Sequence, residues 1–208
     1  MKKIYLMLCC MMALTAFGQP AQVSFYPGNG RSSFGGALGN GSLKVTELSG
    51  TLSFEFTKGT GNVGNAIVIY IDSKTGGINS TSGLTDVGDN NRKGISGYDG
   101  TSRATLNFPS GFVPDYAISL VPGNGSNFGG LWSLTGINPS NLDYVTSVNL
   151  SPSNDQTAAV YTFDCTTAQL GLPAGSHTFT FLATLVSTTG YRSDEFIGTP
   201  GPGTAGDI

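Results

Sequence analysis

Histidine, cysteine and charge are what this chain has least of. It carries one histidine and three cysteines, and Asp, Glu, Lys and Arg together make up 11% of its 208 residues. A zinc centre wants three or four imidazole or thiolate ligands, and His177 with so few thiols does not assemble one. A Ser-His-Asp triad would have to pass through His177, and no Gly-x-Ser-x-Gly elbow accompanies it. After Lys2-Lys3 at the start of the chain, basic residues gather nowhere beyond Arg92-Lys93. Nucleic-acid binding needs a face of Lys and Arg that releases phosphate counterions, so nucleic acid is excluded as a partner. Beyond the first residues no apolar run reaches transmembrane length.

Residues 1–18 read as a cleavable export signal. Lys2 and Lys3 form the basic start, Ile4–Thr15 is the apolar stretch, and Ala16-Phe17-Gly18 gives the small-x-small cleavage pattern. The expected destination is secreted or cell-surface, with no transmembrane segment after cleavage. Cys9 and Cys10 sit inside the apolar run rather than at its end, which argues against a lipid-anchored cysteine. Cleavage takes Lys and Arg from 10 to 8 against 13 acidic residues, a charge of −5. It also leaves Cys165 alone, so no intramolecular disulfide can form and the core must hold the fold. Cys165 follows the strand pattern Ala159–Phe163, where a small buried hydrophobe is expected rather than a nucleophile.

What is abundant is glycine, at 31 residues, with much Ser, Thr and Asn. Such composition, without the high charge of a disordered chain, marks many tight turns between short strands. The organising stretch is Ala66–Asp72, Ala-Ile-Val-Ile-Tyr-Ile-Asp, bounded by Gly64-Asn65 and Gly76-Gly77. It shows no polar alternation before Asp72 and is too short for a helix, so it predicts a central strand buried on both faces. Val23–Tyr26, Leu43–Leu48, Thr51–Thr57, Arg103–Phe108, Asp115–Val121, Leu131–Leu134, Tyr144–Leu150, Ala159–Phe163 and His177–Val186 read as further strands, and Thr166–Leu170 as one helical turn. In Thr51–Thr57 the residues Leu52, Phe54 and Phe56 share one face, which is period two. The Gly/Asp/Asn-rich stretch 76–101 is longer than loops in compact domains usually are, which marks it as functional or mobile.

These elements predict an all-β fold with little helix, a two-sheet antiparallel β-sandwich, jelly-roll-like, over residues 19–198. Its inner faces are expected to hold Phe54, Phe56, Val68, Tyr70, Ile118, Leu120, Phe163, Phe179 and Phe181. Residues 199–208, rich in Gly and Pro, read as a tail or linker.

Ile69-Tyr70-Ile71-Asp72 with Gly76-Gly77, and Asp115-Tyr116-Ala117-Ile118 downstream, resemble the strand pattern of DOMON-like and family 9 carbohydrate-binding-module sandwiches. Phe128–Trp132 and Gly190–Glu195 are similar to segments of secreted Bacteroidetes proteins. The resemblance implies an exported binding module. The haem ligands and disulfides of some DOMON members have no counterpart here.

Two ligand chemistries follow from the loops. Asp86, Asp89, Asn90 and Asp99 place oxygens on flexible turns, which makes calcium the candidate cofactor; the same residues equally make Asx turns. The spacing is not that of an EF-hand. Trp132, Tyr98, Tyr191 and Phe128, with Arg192 and Asp194 beside them, form an expected glycan-binding set, because aromatic rings stack on sugar faces while polar groups fix the hydroxyls. Trp132 could equally plug the core. The expected function is a non-catalytic exported module that binds carbohydrate or builds cell-surface or matrix structure. The alternative is a glycoside hydrolase drawing an acid pair from Asp72, Asp86, Asp89, Asp99, Asp194 and Glu195.

Overall fold

The computed structural model describes residues 20–123, 128–173 and 178–198. The expected signal segment, the expected tail and His177 lie outside the described residues. In chain order the strands are β1 (Gln22–Pro27), β2 (Ser42–Leu48), β3 (Thr51–Thr57), β4 (Ala66–Asp72), β5 (Tyr116–Leu120), β6 (Phe128–Asn138), β7 (Asn141–Asn149), β8 (Val160–Thr166), β9 (Thr180–Val186) and β10 (Arg192–Gly198). One helix, α1 (Asn90–Ser96), lies between β4 and β5, and a single 3-10 turn spans Ala168–Leu170. All pairings are antiparallel, in a four-stranded sheet β1-β2-β3-β8 and a six-stranded sheet β10-β9-β4-β5-β6-β7. The protein is an all-β sandwich.

The four-stranded sheet obeys period two. In β3 and β8 the buried residues alternate with exposed or half-exposed ones, so Leu52, Phe54, Phe56, Tyr161, Phe163 and Cys165 point to the other sheet. Register then stacks aromatic on aromatic: Phe54 faces Phe163 with ring centroids 4.9 Å apart, and Phe56 faces Tyr161 at 6.0 Å. Cross-strand pairs of this kind contribute about 0.5–1.5 kcal/mol beyond the area they bury.

β4 has no such alternation, because both of its faces are covered. Ile67, Ile69 and Ile71 pack between the sheets, while Ala66, Val68 and Tyr70 belong to a second buried cluster on the far side. The structure therefore moves Val68 and Tyr70 out of the inter-sheet core, whereas Phe54, Phe56, Ile118, Leu120, Phe163 and Phe181 lie in it and Phe179 packs against it. The covering layer is the long segment after β4. It lays Leu84, Ile95, Leu106, Phe108 and Phe112 on the outer face of the six-stranded sheet. A stretch with few apolar residues thus spends nearly all of them on one surface. Arg103–Phe108 belongs to this cover and makes only isolated bridges, Tyr98 with Arg103 and Ser80 with Asn107.

α1 rests directly on β4. Its Gly94 allows that approach, since a Cβ there would lie 2.8 Å from the Cβ of Ala66. Asp89 caps the helix by accepting the Arg92 N–H at 2.9 Å, and Gly97 ends it in the left-handed conformation. Tyr70 pins the other end by donating its hydroxyl to the Ile95 carbonyl at 2.7 Å. Among the described residues no helix is long and apolar enough to cross a membrane.

Candidate functional site

β4 runs out into a cleft of about 440 Å³, lined by Asp72, Ser73, Lys74 and Thr75 on one side and Gly111, Thr178, Phe179 and Thr180 on the other. The sequence places it there for a simple reason. Asp72 ends the apolar run and pairs with Thr180 at the start of β9, so the sheet changes from dry to wet at that register. Asp115, fully buried just before β5, holds the cleft wall in shape. Its Oδ2 accepts the backbone N–H groups of Ser73 at 2.7 Å and Lys74 at 2.8 Å, while Oδ1 is buried without a hydrogen bond. Ser73 Oγ donates to the Leu170 carbonyl at 2.7 Å, tying the wall to the 3-10 turn. Asp72 Oδ2 accepts the Val113 N–H at 2.9 Å.

Lys74 is the cleft's cation. Its Nζ donates to the Tyr116 hydroxyl at 2.7 Å and stands 4.5 Å from the centre of the same ring. The ammonium is thus positioned by a hydroxyl oxygen and a π face. The cleft therefore offers one carboxylate, one ammonium, several hydroxyls and an aromatic ring in a shallow depression. Such a surface can hydrogen-bond a polyhydroxylated ligand from several directions.

The residues expected from sequence to bind ligand do other things. Trp132 is fully buried on the covered face of the six-stranded sheet, with Tyr144 edge-on at 5.8 Å and the Arg92 guanidinium 5.7 Å from its ring. A ring so placed cannot stack on a sugar in solvent. Arg192 is 8% exposed and reaches across to Tyr70, donating from Nη2 to the hydroxyl at 3.3 Å. Burial raises the Tyr70 pKa above its ordinary value, against the opposing pull of Arg192. Tyr98 closes its own turn, donating to the Gly100 carbonyl at 2.7 Å under the guanidinium of Arg103. Asp194 accepts the Ser33 N–H at its carboxylate and the Asn29 amide at its carbonyl, which fastens the β10 edge. Of the set, Tyr191 stands open, 63% exposed. Phe128 begins β6 and its side chain lies outside the described residues.

The calcium set is likewise distributed over structural tasks. Asp86, 4% exposed, accepts the Gly88 and Leu142 N–H groups at 2.9 and 2.8 Å and pairs with Arg92 Nε at 3.2 Å. Asp89 caps α1 and pairs with Arg92 Nη1. Asn90 starts the helix. Asp99, in a separate turn, accepts the Thr101 and Ser102 N–H groups at 2.7 and 2.6 Å, and these bonds hold its carboxyl below the usual range. Among the described residues no three His, Cys, Asp or Glu side chains gather where a metal could sit. Cys165 is buried, and burial with the neighbouring charge of Asp164 pushes its thiol up to about 12.

Sequence reasoning passed over the cleft residues Lys74, Thr75, Thr178 and Thr180. The available signal was positional: a charged residue at the end of a wholly apolar strand, followed by hydroxyls and a double-glycine turn. No family model, no curated protein and no solved structure matches the chain.

Proposed function

We propose that the protein is an exported, non-catalytic β-sandwich that binds carbohydrate through the cleft at the Asp72 end of β4. The observation that carries the reading is the cleft's lining: Asp72, Ser73, Lys74, Thr75, Thr178 and Thr180 supply donors and acceptors beside the Phe179 ring. Sugars are recognised by that mixture of hydroxyl partners and an apolar face. Of the residues that resemble DOMON-like and family 9 carbohydrate-binding sandwiches, Asp72 lines the cleft and Asp115 holds the backbone of its wall. A glycoside hydrolase would bring two carboxylates to face each other across its cleft, and here the lining contributes Asp72. That weighs toward binding over hydrolysis.

The test is a glycan array and polysaccharide co-sedimentation with the mature chain, run beside Lys74→Ala and Thr75→Ala. Both side chains are exposed, so both variants are expected to keep the wild-type Tm. Retention of a polysaccharide by the wild type and its loss in both variants supports the reading. Retention of none, or equal retention by all three chains, refutes it.

A further inference from the structure

Four strands form the margins of the two sheets, and three of them are protected. On β10 the outward backbone groups are closed by a loop: Asn29 donates its N–H to the Phe196 carbonyl at 3.1 Å and accepts the Phe196 N–H at Oδ1, 3.3 Å. Its amide donates to the Asp194 carbonyl at 2.8 Å, and Ser33 Oγ accepts the Asp194 N–H at 3.1 Å. On β8 a two-way bridge to Ser151 occupies the N–H and carbonyl of Thr162, at 2.7 and 2.9 Å. β7 carries Asp143 and breaks register with β6. Bulges, charges and covering loops are the devices by which proteins keep sheet margins from pairing with other chains.

β1 has no bulge, no charge and, among the described residues, no covering loop; its proline, Pro27, stands at the very end, past Gln22–Tyr26. Its register with β2 is continuous from Gln22 to Pro27, and the segment Gln-Val-Ser-Phe-Tyr-Pro holds no charged residue. Among the described residues no group outside β2 hydrogen-bonds its backbone. Val23 and Phe25 project from the outer face at 58% and 66% exposure, while Tyr26 on the inner face packs edge-on against Phe181 at 4.8 Å. An open backbone margin and two exposed apolar side chains coincide on one strand.

We infer that β1 pairs antiparallel with β1 of a second copy of this chain, joining two four-stranded sheets into one of eight. The segment fits itself. With the two Ser24 residues opposite each other on the twofold axis, each Val23 faces the partner's Phe25 on the outer side, and each Gln22 faces the partner's Tyr26 on the inner side. β-branched residues opposite aromatics are favourable cross-strand pairs. Charge is compatible as well. Lys44 lies beside Phe25 and is already paired with Glu55 at 3.2 Å, so the outer row crosses the junction from Lys44 through Phe25 and the partner's Val23 to its Thr46 without like charges meeting. With Ser24 on the axis the junction runs from Gln22 to Tyr26 and buries less than the roughly 1,200 Å² at the lower end of stable interfaces, so the dimer is weak and concentration-dependent.

Sedimentation velocity of the mature chain from micromolar to millimolar concentration tests this. The expected result is a monomer shifting to dimer with concentration, and a loss of dimer in Val23→Lys and Phe25→Lys with Tm unchanged, because both side chains already face solvent. Ser24→Cys is expected to give a covalent dimer on mild oxidation, since opposed strand residues have Cα atoms about 4.5–5.5 Å apart, within disulfide reach. The wild type, with only the buried Cys165, is the control. A wild type monomeric throughout overturns the inference, including the case in which β1 takes up an unrelated extended peptide. So does a dimer that survives both lysine variants, or a dimerising chain whose Ser24→Cys form fails to cross-link.

Discussion

Glu195 accepts the backbone N–H of Leu38 through Oε2 at 2.9 Å, and that bond is one of four. The same carboxylate takes Gly39 at 3.1 Å, Phe34 at 2.8 Å and Gly36 at 3.0 Å, all while fully buried. An acidic side chain on β10 thereby folds the glycine-rich segment after β1 around itself, with backbone amides in place of a basic partner. Buried carboxylates tolerate such a setting only when their lone pairs are filled.

Glu195→Gln keeps the shape but turns one acceptor oxygen into an amide donor facing two N–H groups. Each unsatisfied buried donor costs about 1–3 kcal/mol, so for two of them a loss of roughly 2–6 kcal/mol is expected. Urea unfolding followed by circular dichroism measures it. An unchanged midpoint would mean the four bonds do not hold the loop.

Trp132 reports on the covering layer. As the only tryptophan, and fully buried, it should emit at short wavelength and shift red when the chain unfolds. Ligand added to the cleft should leave that emission in place. Trp132→Ala should cost about 3–5 kcal/mol by opening a cavity under α1. A substitution that spared stability and abolished glycan retention would return Trp132 to the binding surface.

Asp86 ties two parts of the cover, the turn to Gly88 and the Arg92 guanidinium, to the backbone of Leu142 in β7. Asp86→Asn should lower stability by roughly 1–3 kcal/mol through the lost ion pair and a mismatched N–H. Millimolar calcium should leave the wild-type Tm where it is, because ligand binding to the native state raises Tm. A calcium-dependent rise that disappears in Asp86→Asn would overturn the structural assignment of this carboxylate.

Cys165 should be inert in the folded protein. Iodoacetamide reacts with thiolate, and a buried thiol pushed up to about 12 supplies almost none at pH 8. Mass spectrometry after alkylation should find the native chain unmodified and the urea-unfolded chain fully labelled. Rapid native labelling would revive the nucleophile reading.

The sandwich was legible because its signals are local. Period two in Thr51–Thr57 and the unbroken apolar run of Ala66–Asp72 each state how many faces a strand buries, and the structure agrees in both cases. α1 was not legible. Asn-Asn-Arg-Lys-Gly-Ile-Ser opens on two asparagines and carries an interior glycine, all weak helix formers, and it is helical because Gly94 and Ile95 pack on the sheet. β10 was missed for a related reason: its buried residues include Arg192, Ser193 and Glu195, so hydrophobic alternation is absent. For Trp132 the sequence leaves core and ligand contact equally open, and the structure takes the core; Arg192 is likewise hidden, because the cover over the outer sheet face lies on both. The cleft stayed unseen because it joins Asp72–Thr75 with Thr178–Thr180, a hundred residues apart along the chain.

That separation governs how the molecule can assemble. β4 takes β5 on one side and β9 on the other, and β3 waits for β8. A nascent chain that has emerged as far as Asn149 has made its first seven strands yet can close neither layer. Late-arriving partners of this kind place most pairings far apart along the chain, and a fold built on such distant contacts closes slowly.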